Sequence, residues 1–244
     1  MKTGKAKIDP KTSSLLIKAV KAQMETGAGE MVINRSNILK KRRTLRKAVT
    51  APTEIVHFKT LEEHFQAIKD CQKCPLGKTR TKFVYGVGNP NADILFIGEA
   101  PGRDEDLQGE PFVGRAGQLL DKILAAIKFD RKEIYIANIL KCRPPNNRDP
   151  QPDEMAMCTP YLLEQIRLIK PKIICALGRI AAQALLQTTT PIGKLRGQWH
   201  QYQGIPFIVT YHPAALLRFP SYKKDVWDDV RMLRAKYDEM IKQD

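Results

Sequence analysis

The sequence predicts an α/β fold of three layers, α/β/α, built on a central four-stranded parallel sheet. Two observations carry this. Four short apolar runs at 93–97 (DILFI), 133–137 (EIYIA), 172–176 (KIICA) and 206–210 (PFIVT) have strand length and composition. Helical stretches at 116–127, 153–169, 179–187 and 222–241 separate or follow them. Strands alternating with helices call for a parallel sheet covered on both faces.

The first helix of the domain falls near residue 60, where LEEHFQAIKD has helical spacing. Residues 11–24 can form a short amphipathic helix, and 25–58 show little periodicity and read as linker. The chain therefore divides into a basic extension, 1–58, and a globular domain, 59–244. Its 244 residues with 43% hydrophobic content are enough for a real core. No apolar run approaches the roughly 18–20 residues of a membrane span, and no secretory h-region follows the basic start. Five cysteines, an odd number, do not suggest a disulfide framework. A reducing cytoplasm is the expected compartment, with no membrane partner.

The formal net charge of +15 is uneven: residues 1–50 hold 13 Lys/Arg against 3 Asp/Glu. Such a tail attracts polyanions, nucleic acid foremost. A solvated tail with no fixed partner is the plain alternative.

In open parallel sheets, sites form at the carboxyl ends of the strands. The first run enters Gly98-Glu99-Ala100-Pro101-Gly102. The second enters Asn138 and then Leu140-Lys141-Cys142-Arg143-Pro144-Pro145. The third enters Leu177-Gly178-Arg179, and the fourth Tyr211-His212-Pro213-Ala214-Ala215. Small, polar and ring-bearing residues thus gather on one rim.

Cys175 lies inside the run Ile173-Ile174-Cys175-Ala176-Leu177 and reads as a buried core thiol. The other four are in polar settings: Cys71 and Cys74 as a C-x-x-C, Cys142 after the second strand, and Cys158 sixteen residues later. Four thiolates suit either tetrahedral zinc or a [4Fe–4S] cluster, and spacing alone does not separate the two. In the loop GEAPGRDEDLQGEPFVGRAG, glycines allow close backbone approach to a ligand. Phe112 can stack on a flat ligand or serve the core. The loop has neither G-K-[ST] nor G-x-G-x-x-G, so phosphate cradling fits poorly. Asn138 can read an amide-like edge such as N3–H and O4 of a pyrimidine, or simply form a turn. His212, next to Pro213, is either structural or catalytic.

Together, GEAPGRDEDLQGEPFVGRAG, NILKCRPPNNRDP and HPAALL, in that order and with this cysteine set, closely resemble the family 4 uracil-DNA glycosylases over roughly residues 60–240. The resemblance implies a monofunctional repair enzyme, acting as a monomer on uracil-containing DNA, single- or double-stranded. It flips uracil out, hydrolyses the N-glycosidic bond and leaves an abasic site. It implies a [4Fe–4S] cluster on Cys71, Cys74, Cys142 and Cys158. It makes Phe112 the stacking ring, Asn138 the uracil-edge reader and His212 the donor to uracil O2, with Gly98, Glu99 and Ala100 giving backbone contacts to the base. Cytosine would be rejected because its N4 amine meets Asn138 with a donor where uracil presents an acceptor.

Related families carry an aspartate where Ala100 stands, so another group must handle the attacking water. Glu105 is the first candidate and Glu99 the second. A sister group links covalently to DNA through a histidine after the Asn motif, and this chain has none there. Leu216, Leu217 and Arg218 are candidates for a wedge filling the hole left by the flipped base, or for an ordinary helix start. The competing functional reading is an iron–sulfur nucleic-acid-binding protein on the same fold without catalysis; a zinc module is the third.

Overall fold

The computed structural model describes residues 58–242. The expected helix at 11–24, the linker and the charge of the basic extension lie outside the described residues, apart from Phe58. No helix among the described residues is long and apolar enough to cross a membrane.

The elements in chain order are α1 (Leu61–Ile68), β1 (Val87–Gly88), β2 (Ile94–Gly98), α2 (Arg103–Gln108), α3 (Arg115–Ala126), β3 (Tyr135–Asn138), α4 (Pro152–Ile169), β4 (Ile173–Leu177), α5 (Arg179–Leu186), α6 (Ile192–Leu195), β5 (Trp199–Tyr202), β6 (Ile205–Thr210), α7 (Pro213–Arg218) and α8 (Tyr222–Ile241). The four expected strands are β2, β3, β4 and β6, mutually parallel in the order β3-β2-β4-β6. The sheet is nevertheless six-stranded, not four-stranded. Two-residue β1 adds antiparallel to β3 at one edge, and β5 adds antiparallel to β6 at the other.

Strand side chains alternate between the two faces, and both faces are covered. On one, Leu95, Ile97, Ala137, Ile174, Ala176, Phe207 and Val209 pack with Leu162 and Ile166 of α4 and Ala181 and Leu185 of α5. On the other, Ile94, Phe96, Ile136, Ile173, Cys175 and Ile208 pack with Leu120 and Leu124 of α3, Leu216 of α7 and Val230 and Leu233 of α8. Burial on both sides explains why the central strands read as unbroken apolar runs. Cys175 is in the core, 1% exposed.

Helix starts follow local chemistry. Thr60 caps α1, its Oγ1 accepting from the Glu63 N–H at 3.1 Å. α4 begins with Pro152 at its first turn, and the Glu154 carboxylate reaches back to the Gln151 N–H at 2.9 Å. His212 caps α7.

Candidate active site

The rim expected at the strand ends exists. A cavity of about 420 Å³ is lined by Glu99, Ala100, Glu105, Phe112, Asn138, Asn147, Arg148, Asp149, His212 and Arg218, among others.

Its floor is set by the register of β2 and β3. Gly98 is the direct partner of Asn138. Pairing continues beyond the strands, with Ile139 N–H donating to Gly98 O and Leu140 N–H to Glu99 O, each at 3.0 Å. Asn138 is 2% exposed, and its Oδ1 is buried without a hydrogen-bond partner. A side chain at position 98 would collide with that oxygen and with the Phe112 ring, so the position requires glycine. Phe112 itself has φ 55, in the left-handed region that costs most residues about 1 kcal/mol or more. That backbone turns its ring inward: it is 5% exposed and lies with its centroid 5.3 Å from that of His212, tilted by 30°.

His212 is fixed from two sides. Its Nδ1 accepts from the Ala214 N–H at 3.2 Å, which leaves the proton of the neutral ring on Nε2. Burial, then the Arg218 charge, hold its pKa down to about 4, so the imidazole is neutral at physiological pH. Gly178, at φ 96, leaves the space that the His212 Cβ uses; a methyl there would come within 2.9 Å of it.

The two carboxylate candidates differ in their surroundings. Glu105 accepts from three backbone groups: Gly102 N–H at 3.1 Å on Oε2, and Val113 and Gly114 N–H at 3.0 Å each on Oε1. Its charge is committed to folding the loop that carries Phe112. Glu99 is half-buried. Burial, then nearby Asp149, raise its pKa to about 7, against the lowering pull of Arg179 and Arg218.

The wedge candidates separate. Leu216 is 2% exposed and packs in the core, so swinging it outward would forfeit about 1.5–3 kcal/mol of burial. This burial favours the helix-start reading of Leu216 over the wedge. Leu217 is 41% exposed, and Arg218 is exposed at the cavity rim.

The four polar-context cysteines are drawn together on the α4 side of the sheet. Cys142 and Cys158 are buried, and Cys71 and Cys74 half-buried. The Cys142 sulfur interacts electrostatically with those of Cys158 and Cys74, and Cys158 with Cys74 and Cys71. Donors point at the sulfurs: Tyr161 Oη to Cys71 at 3.2 Å, Lys141 N–H to Cys158 at 3.3 Å and Arg80 Nη1 to Cys142 at 3.4 Å. Burial pushes the Cys142 thiol up to about 11. Among the described residues, no three His, Cys, Asp or Glu side chains converge tightly enough for a single ion.

Sequence reasoning missed Arg148, Asp149 and Asn147 at the rim, although NNRDP lay within a quoted motif. Arg148 is held by a bidentate pair with buried Glu154, at 2.9 and 2.6 Å. Asn146 and Asn147 take φ of 55 and 53 in succession, a conformation asparagine tolerates better than most residues. The donors Arg80 and Tyr161 carried no sequence signal.

Residues 85–231 match the family model described as the uracil DNA glycosylase superfamily. The chain is 46% identical over 183 residues to a type-4 uracil-DNA glycosylase of Archaeoglobus fulgidus, covering 71% of this chain and 92% of the relative. It is 44% identical over 174 residues to a type-4 uracil-DNA glycosylase of Thermotoga maritima, covering 70% and 91%. A type-5 uracil-DNA glycosylase of Pyrobaculum aerophilum is 30% identical over 147 residues, covering 53% and 64%. With its parallel central strands, its strand-end cavity and these matches, the chain belongs to the uracil DNA glycosylase superfamily, in its type-4 branch.

Proposed function

We propose that the protein flips uracil from DNA into the cavity and hydrolyses its N-glycosidic bond, leaving an abasic site. One observation carries the base assignment: the buried, unpartnered Oδ1 of Asn138. A buried acceptor left without a donor costs about 1–3 kcal/mol, so the ligand that fits must bring an N–H. Uracil offers N3–H at that edge, whereas neutral cytosine has a lone pair on N3. Hydrogen-bonding sites of this kind can discriminate by about 10⁴ or more. Phe112 supplies the stacking face.

Bond cleavage leaves an oxocarbenium-like sugar and negative charge on uracil O2. His212, neutral with its proton on Nε2, is the donor for that oxygen. A preorganised donor of this type is worth about 3–4 kcal/mol in a dry site. Glu99, with a pKa near 7, is the stronger candidate for the water, because Glu105 is committed to three backbone groups and acts as a positioning residue. Leu217 and Arg218 remain as candidates for the vacated space in the duplex. Gly98 and Ala100 offer backbone contacts to the base.

A [4Fe–4S] cluster fits the four-thiol set, in which three sulfurs receive hydrogen bonds from protein donors. Cys71, Cys74, Cys142 and Cys158 would hold it. It would tie the segment before β1, the loop after β3 and α4 together, with no part in the chemical step.

The test is incubation with a uracil-containing oligonucleotide, alongside cytosine and thymine controls, followed by alkaline cleavage of abasic sites. Strand scission at uracil alone is expected. Tight binding without scission would favour the catalytically silent nucleic-acid-binding reading.

A further inference from the structure

Phe219 is the most exposed of the large hydrophobic side chains among the described residues, at 54%. It follows Arg218, which lines the cavity. Its backbone is held on both sides: its N–H donates to Ala215 O at 2.7 Å, and its carbonyl accepts from the Tyr222 N–H at 3.1 Å. Its ring lies 5.6 Å from that of Tyr222, tilted by 46°. Tyr222 in turn stacks on Tyr211 at 4.1 Å and 9°. Tyr211 directly precedes His212, and the Arg196 guanidinium sits 5.7 Å from its ring centroid. A row of packed rings therefore runs from the root of the catalytic loop to an exposed end.

The surroundings are basic. Arg218, Lys223 and Lys224 are exposed. The nearest acid in sequence, Asp225, faces Arg196 at 3.4 Å. A water-exposed ring on a hydrogen-bonded backbone, beside cations and next to the proposed nucleobase pocket, matches the stacking platforms of single-strand binders, in which rings meet bases and cations track phosphates.

We propose that Phe219, backed by Tyr222 and Tyr211, is a stacking shelf for the base next to the flipped uracil on the same strand, with Arg218, Lys223 and Lys224 meeting the adjoining phosphates. The shelf rests on the glycosylase reading of the neighbouring cavity. It differs from a wedge, because its occupant is a neighbour on the damaged strand and an opposite strand is not needed.

The probe is a single-stranded oligonucleotide carrying non-cleavable 2′-fluoro-2′-deoxyuridine, with 2-aminopurine on its 5′ side in one version and its 3′ side in another. Wild-type protein is expected to quench the 2-aminopurine of one version. Phe219→Ala is expected to abolish that quenching and weaken binding on the order of tenfold, with Phe219→Trp retaining both. The exposed position predicts an unchanged melting temperature for either variant. Wild-type affinity and quenching in Phe219→Ala would overturn the shelf, as would a loss seen only when the same oligonucleotides are annealed to a complementary strand. Excision of ordinary uracil by the wild-type protein is measured in parallel. If excision occurs and Phe219→Ala binds normally, only the shelf fails. If excision is absent while quenching depends on Phe219, the shelf stands and the glycosylase reading falls.

Discussion

The Nζ of Lys141 donates to the backbone carbonyl of Asn138 at 2.8 Å, from a position with no exposure to solvent. The same ammonium donates to Gln165 Oε1 at 2.6 Å, while the Lys141 backbone N–H points at the Cys158 sulfur. Burial draws the Lys141 pKa down to about 8, so it still carries its proton at neutral pH. One residue thus braces Asn138, the proposed base reader, from behind and touches one of the four grouped thiols. Replacing it with methionine leaves two buried acceptors unpaired. Each charged hydrogen bond contributes about 1.5–3 kcal/mol, so Lys141→Met is expected to lower the melting temperature clearly and to cut uracil excision.

Asn138→Asp exchanges an amide for two acceptor oxygens at the base edge. Uracil O4 then meets an acceptor, whereas a cytosine amine finds a partner. Uracil excision is expected to fall steeply, toward the 10⁴-fold range of hydrogen-bond discrimination. Single-turnover assays on paired uracil and cytosine oligonucleotides check it; full uracil activity would remove Asn138 from base reading.

His212 both caps α7 and faces the cavity, so its roles need separate variants. His212→Ala is expected to lose about 1 kcal/mol of stability through the cap and roughly 10²–10³-fold in the single-turnover rate. His212→Asn restores an N-cap oxygen without the distal N–H, and is expected to recover the stability and not the rate. Thermal melts with enzyme-excess kinetics distinguish the two losses.

The pH profile follows from the two cavity groups. Glu99 is raised to about 7 by burial and Asp149. If its carboxylate handles water, the rate is low below that pH and climbs as pH passes through it. His212 is held near 4, so its neutral form persists over the same range and adds no inflection around 6.5. Glu99→Gln is expected to be slow with a flat profile. An unchanged rising limb in that variant would reassign the water.

Cysteine substitutions separate cluster from core. Alanine at Cys71, Cys74, Cys142 or Cys158 is expected to reduce bound iron and visible absorbance in the purified protein. Cys175→Ala is expected to leave both intact, because that thiol is buried in β4 on the face opposite the other four. Iron analysis against protein concentration decides it.

Much of this was legible in the chain. β2, β3, β4 and β6 announce themselves because burial on both faces makes each an uninterrupted apolar run. The edge strands do not. Val87–Gly88 is too short to carry a period, and Trp199–Tyr202, half-buried except at Gln201, mixes rings with polar residues. Its turn did leave a trace: Gln203 and Gly204 both have positive φ, as a two-residue hairpin demands. Of the cavity residues, Glu99, Ala100, Phe112, Asn138 and His212 could be read from motifs, whereas Asn147, Arg148 and Asp149 could not. Glu105 could not be assigned its three backbone partners, since these exist only once residues 102–114 have folded around it. Leu216 and Leu217 are neighbours in sequence and opposite in exposure, a distinction set by how α7 seats on the core.

The order of the four thiols along the chain has a consequence for synthesis on the ribosome. Residues 71, 74, 142 and 158 all emerge before β4, β6 and the catalytic loop at 212. N-terminal parts of a chain can organise while the rest is still being made. All four thiols of the proposed clamp are therefore synthesised while half of the sheet is still untranslated. The proposed base contacts Glu99, Phe112 and Asn138 are synthesised early, and His212, the proposed donor, arrives last.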